Sequence, residues 1–171
     1  MWETIAAEAA AESQLWADAL RPVEERHREP IFSAFVSPAL ALGLETIYEG
    51  YLVHYGRSRL FAPPDSDTAL LLGDYLYAQG LVHIAATGNV DAVADLAELI
   101  SLCAQARADG RNGGAAAWAA TAARLGAGDL DGARDALRLD ADPSLLEEAA
   151  RGVAGNERVE RALAAHALYV G

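Results

Sequence analysis

Alanine fills 39 of the 171 positions, and the β-branched and aromatic residues that build strands are few. Ala has the highest helix propensity of any residue, and a pleated sheet needs side chains that Ala does not supply. Such a chain is confined to helices, and its Pro, Gly and Asn breakers set where each one stops.

Read with those breakers, the spacing of apolar residues predicts the following elements. Trp2, Ile5, Ala9 and Leu15-Trp16 give an N-terminal helix that ends near Arg21-Pro22. A long apolar helix begins at Ser37-Pro38, with Ser as cap and Pro in the first turn, and runs to about Gly56. Ala62-Pro63-Pro64-Asp65-Ser66-Asp67 breaks the chain and caps a helix over about 67–86. That helix is apolar on nearly every side (Leu70, Leu71, Leu72, Leu76, Leu81, Val82, Ile84), which predicts a central place in a bundle. Further helices are expected at about 91–108, 115–125, 130–139, 143–153 and 157–170. Short linkers and uniform composition predict one all-α domain, a helical bundle of seven to nine helices spanning 1–171.

Several functional classes are disfavoured at once. No stretch approaches the roughly 20 apolar residues of a transmembrane helix. Met1-Trp2-Glu3-Thr4 places no basic region ahead of an apolar run, so no secretory signal is expected and a cytoplasmic location is. Cys103 is the only cysteine, which rules out an intramolecular disulfide or a cysteine-cluster zinc site. The 25 acidic residues face 13 basic ones, all Arg, for a net charge of -12, and this opposes binding to nucleic acid.

Two stretches go beyond generic helix. One is Leu44-Glu45-Thr46-Ile47-Tyr48-Glu49-Gly50-Tyr51-Leu52-Val53-His54-Tyr55-Gly56-Arg57-Ser58-Arg59. The other is Ala69 to Leu81, with Leu72-Gly73-Asp74-Tyr75-Leu76 at its centre, followed by Gly88, Val90 and Val93. Together they resemble the trans-prenyl diphosphate synthases, which have the all-helical isoprenoid synthase fold. In that family a Glu precedes Leu-Val-His and an Asp-Asp-x-x-Asp motif, and the next helix reads Leu-x-Gly-Asp-x-Leu. Glu45, Leu52-Val53-His54, Gly73-Asp74 and Leu76 match, and Tyr48 stands where the family often has His. Residues 115–127 resemble the helix after the family's Lys-Thr pair, and the tail from Asn156 to Tyr169 resembles its C-terminal helix. The resemblance implies a reduced isoprenoid synthase fold.

The departures bear on function. Asp residues at i, i+1 and i+4 share one helical face and in the family hold magnesium, a hard cation that takes oxygen ligands. Here those positions are Tyr55, Gly56 and Arg59, the second Asp-rich motif has no counterpart, and there is no Lys to contact diphosphate. The resemblance therefore implies a non-catalytic relative, with no catalytic residue, metal or cofactor. It would be an accessory subunit or an isoprenoid-binding protein, as a homodimer or as the partner of a catalytic prenyl synthase. Two alternatives stand beside it. One is an enzyme of altered chemistry acting on an apolar substrate in a retained cavity, and the other is a helical scaffold with no small ligand.

The candidate ligand residues cluster around the two matching helices. Tyr48, Tyr51 and Tyr55, joined by His54, would line an apolar cavity with hydroxyl groups. Arg57 and Arg59 could meet a phosphate, because guanidinium is a fixed fork matched to such oxygens; otherwise they are cations at a helix end. Asp74 in an apolar helix needs a partner, either an Arg or a Tyr hydroxyl, or else a ligand. Gln105 with Asp109 lies near the family's Gln-x-x-Asp pattern. His54 and His83 lack the spacing of metal ligands and are expected to pack between helices, and Cys103 is expected to be a buried apolar residue.

Overall fold

The protein is described by a computed structural model over residues 1–170. It is an all-α bundle with nine helices and no strand among the described residues. They are α1 (Trp2–Glu12), α2 (Gln14–Asp18), α3 (Pro38–Tyr55), α4 (Ser66–Ala85), α5 (Val90–Ala108), α6 (Gly114–Ala123), α7 (Asp131–Asp140), α8 (Ser144–Ala154) and α9 (Asn156–Ala167). The boundaries follow the breakers. Asp65 caps α4 by accepting from the Thr68 amide at 2.7 Å, and Asn89 caps α5 by accepting from Ala92 at 2.9 Å. The expected N-terminal helix is divided at Ser13, whose side chain accepts from the Leu15 amide and opens α2. No helix among the described residues is long and apolar enough to cross a membrane.

The prediction that α4 is central is corrected. Only one face of α4 packs, through Leu72, Gly73, Leu76, Gly80 and Ile84, while Leu70, Leu71 and Val82 are more than half exposed. The central helix is α6, in which Ala116 through Ala122 are all buried. A helix of alanines is thin, so α8, α9 and α5 can all approach it closely, and Trp118 fills the space that the small side chains leave.

Glycine pairs determine how α3 meets α4. Gly43 lies against Gly80, and Gly50 against Gly73, seven residues apart on each helix. A Cβ added at Gly50 would stand 2.9 Å from the Gly73 carbonyl oxygen, and one at Gly80 would stand 2.4 Å from Ile47 Cγ1 and 2.8 Å from the Gly43 oxygen. The two backbones are therefore in direct contact along the seam. No room for a long apolar tail remains between the two helices on which the family resemblance rests.

A second device joins the N-terminal segments to α3. Arg59, just past α3, is fully buried. Its Nε donates to Glu49 at 2.6 Å, one Nη donates to Glu45 at 2.6 Å, and the other donates to the Glu29 carbonyl at 2.7 Å. Glu45 and Glu49 are one helical turn apart, so both reach the same guanidinium. Ser33 donates to Glu45, and Ser58 donates to Glu49 at 2.5 Å. The guanidinium also lies over the rings of Trp2, at 4.6 Å, and Tyr48, at 4.9 Å. Burial opposes its charge, but Glu49 and Glu45 outweigh that and hold Arg59 above the ordinary arginine range. A smaller buried pair, Arg134 with Asp95 at 2.8 Å, ties α7 to α5.

Gly80→Ala is expected to destabilise the fold by about 1–3 kcal/mol, because its Cβ would overpack the seam. Gly152→Ala, on α8 with nothing within 4 Å of the new Cβ, should instead stabilise by up to about 1 kcal/mol. Urea unfolding of the two variants beside the parent measures both. Arg59→Met, which leaves two buried carboxyl groups without their cation, should cost about 3–5 kcal/mol in the same assay.

Candidate functional site

The residues singled out from sequence do not converge on one place. Arg59 is enclosed between its two carboxylates and reaches no cavity, which overturns its reading as a helix-end surface cation and leaves it no free donor face for a phosphate. Arg57 is exposed, with its guanidinium 5.6 Å from the Tyr169 ring, and Gln105 is exposed on α5, where it accepts from Arg138. Asp74 is not buried; its carboxylate is two-thirds exposed and stands 3.2 Å from His54 Nε2, without the alignment of a hydrogen bond. Burial lowers the His54 pKa, and Asp74 works against that. His83 packs between helices as expected, 2.8 Å from Glu8, and Cys103 is buried.

Tyr48 and Tyr51 belong to a filled aromatic core, and of the two only Tyr51 also borders a cavity. Both are buried, with ring centroids 4.9 and 5.4 Å from Trp118, and Phe32 stacks on Trp118 at 5.7 Å. Spaced three apart on α3, they present one face to α6 and α9. His166 of α9 completes the group, its Nδ1 2.8 Å from the Tyr48 hydroxyl.

The outer edge of this core opens into a cavity of about 400 Å³ between α3, α5, α6 and α9. Its floor is Tyr51 and His166. One wall is Cys103, Ala106 and Arg107 of α5, and a second is the loop Arg111-Asn112-Gly113 running into Gly114-Ala115 of α6. Leu163, Ala167 and Val170 form the apolar side. The Arg107 guanidinium donates to the Tyr51 hydroxyl at 3.4 Å, lies 5.7 Å from the Tyr55 ring, and has no carboxylate partner among the described residues. Arg111 is steadied by the Arg138 carbonyl and by Asp109, 3.6 Å from its Nε.

Gly113 precedes α6 with φ of 120° and no side-chain cap, so the first amides of α6, where Gly114 and Ala115 line the cavity, have no partner among the described residues. An added Cβ at Gly114 would come within 3.1 Å of the Tyr51 hydroxyl, so glycine keeps that approach open. A helix N-terminus carries partial positive charge, and its free amides suit an anion.

No Asp or Glu lines this cavity, although the chain carries 25. Burial, with Arg107 adding to it, pushes the His166 pKa down to about 4, and burial pushes the Cys103 thiol up to about 12. Both are therefore neutral at pH 7, and the fixed charge at the site is that of the arginines. No group of His, Cys, Asp and Glu among the described residues could hold a metal ion.

Of the residues singled out from sequence only Tyr51 lines this cavity, and Arg107, Arg111, Asn112 and His166 were missed. The signal was present, since residues 110–128 contain no acid in an otherwise acidic chain. Comparison with known proteins adds nothing to this geometry, since no family model, curated protein or solved structure matches the chain significantly.

The depressed His166 pKa sets a pH dependence. The unfolded residue titrates near 6.5, so as pH falls the unfolded chain takes up the proton first. This stability is fully present above about pH 6.5 and is lost toward pH 4, at about 1.4 kcal/mol per pH unit and roughly 3 kcal/mol in all. Urea midpoints across that range should show this loss, and His166→Gln should flatten it.

Proposed function

We propose that this chain is a small-molecule binding protein that holds a compact anion in the cavity between α3, α5, α6 and α9, and that it does not carry out metal-dependent prenyl transfer. The absence of any carboxyl group from the wall carries this proposal, because in a chain of net charge -12 Arg107 has no carboxylate partner among the described residues and Arg111 meets only Asp109, 3.6 Å from its Nε and outside the lining. The donors that converge on the cavity are Arg107, Arg111, the Asn112 amide, the Tyr51 hydroxyl and the first amides of α6. Arg forks and helix N-termini both match the oxygens of an anion. A volume of about 400 Å³ lies within the range of small-ligand sites.

This reading keeps the head-group end of the isoprenoid-binding expectation and drops the long tail. The α3–α4 seam is closed by glycine contact, and the aromatic core is filled. What the apolar side of Leu163, Ala167 and Val170 can accommodate is a short substituent. Calorimetric titration with inorganic sulfate, phosphate and pyrophosphate tests the site. Binding should weaken about 10–100-fold in Arg107→Ala, the loss of a charge-assisted contact worth about 1.5–3 kcal/mol. Arg57→Ala, in a separate place, should leave binding unchanged. If none of the three anions binds, the proposal fails.

A second reading, an interaction role through a paired copy of this chain, is favoured by the outward face of α4. Leu70, Leu71 and Val82 stand exposed there, as do Ala78 and Ala85 of the same helix. Light scattering should then show a dimer that Leu71→Glu with Val82→Glu converts to monomer, and a parent that is already monomeric at high concentration removes this reading.

A further inference from the structure

The Tyr48–His166 hydrogen bond determines what kind of group the cavity presents to a ligand. Tyr48 is buried, and its hydroxyl has one partner among the described residues, Nδ1 of His166 at 2.8 Å. A phenol with a single imidazole neighbour donates its proton to the ring's lone pair, and burial keeps this phenol protonated well above its ordinary range. Nδ1 therefore accepts, and the proton of the neutral ring is on Nε2. His166 is only 4% exposed and lines the cavity, and no protein group meets its Nε2.

The surroundings keep the ring neutral. From α3 it faces Tyr48 and Tyr51, and from α5 Cys103 and Arg107 share its cavity, while Phe32 packs beside it. Arg111 stands across the cavity. Glu45 and Glu49 lie behind Tyr48 and are held by Arg59. No carboxylate reaches His166 from the cavity side to draw a second proton onto it.

We infer that Tyr48 is a positioning residue that fixes His166 as an N–H donor, so that the cavity takes a fully ionised tetrahedral oxyanion, the phosphoryl or sulfuryl class, in preference to a carboxylate. This rests on the cavity being the ligand site. The Tyr51 hydroxyl already accepts from Arg107, so its own proton is also free to donate. His166, Tyr51, Arg107, Arg111 and the first turn of α6 then all offer hydrogens from different directions. A planar carboxylate has two oxygens to meet them, whereas a tetrahedral anion has three or four.

The lock and the ligand class are tested separately on the full chain. Nitrogen-15 spectra of the histidine side chains, without ligand, should show His166 protonated on Nε2 alone from about pH 5.5 to 8. A ring protonated on Nδ1, or on both nitrogens at pH 7, overturns the lock. Sulfate does not titrate in this range, so its affinity should stay level within about twofold, whereas phosphate should bind more tightly as it loses its second proton across the same range. Acetate should bind at least about tenfold more weakly than sulfate, a difference of about 1.4 kcal/mol.

Sulfate affinity that falls about tenfold per pH unit, or acetate equal to sulfate, overturns the ligand class. Failure of sulfate, phosphate and pyrophosphate alike to bind despite the expected spectrum overturns the ligand class together with the binding role, and leaves the lock standing. Tyr48→Phe keeps the ring and removes the hydroxyl. It should give a mixture of tautomers and weaker sulfate binding, and an unchanged spectrum with unchanged affinity overturns the role of Tyr48. If that variant does not fold, the parent's spectra and its sulfate profile decide.

Discussion

The Arg59 guanidinium is the point on which the other parts of the molecule are aligned. Burying a cation is costly unless its partners surround it, so the segments that supply those partners have no freedom to drift. Glu45 and Glu49 come from α3, the Glu29 carbonyl and Ser33 from the segment before it, and Trp2 from the first helix. Tyr48 also lays its ring against the guanidinium and sends its hydroxyl to His166. One side chain therefore links the buried charge cluster to His166 on the floor of the candidate site. The geometry of that floor is inherited from the most tightly constrained part of the structure.

The glycine seam has a complementary effect. By letting α3 and α4 touch through their backbones it removes interior volume, and the aromatic group of Phe32, Tyr48, Tyr51 and Trp118 takes up what remains. Space for a ligand survives at the rim, where the α5–α6 loop and the end of α9 fail to close over Tyr51 and His166. Such a place favours a small charged molecule over a long apolar one.

Much of the fold could be read directly because its helix ends are written in local chemistry. Asp65, Asn89 and the Pro and Gly breakers act on their immediate neighbours, and each stop they predict falls within a few residues of the observed one. What could not be read depends on contacts between distant segments. Leu70, Leu71 and Val82 look like core residues by composition, yet α4 has no neighbour on that side. Arg59 looks like a surface cation until Glu45 and Glu49 are folded against it. Arg107 and His166 are 59 positions apart in the chain, and nothing local in either signals a shared cavity. The seven-residue recurrence of Gly43 and Gly50, and of Gly73 and Gly80, was legible as a pattern, but its meaning required knowing that the two helices run side by side.

The arrangement of the smaller apolar cluster also has a consequence for synthesis. Ile5, Ala9, Trp16, Ala19, Leu60, Phe61, Leu72 and Leu76 all lie within the first half of the chain, as do Arg59 and every partner it binds. A ribosome that has released residues up to the end of α4 has therefore exposed a complete set of contacts for that cluster, for the charge cluster and for the glycine seam. The thin alanine helix α6, which has little amphipathic character to guide it, emerges later onto a surface already in place. The order of translation thus matches the order in which the parts can become stable.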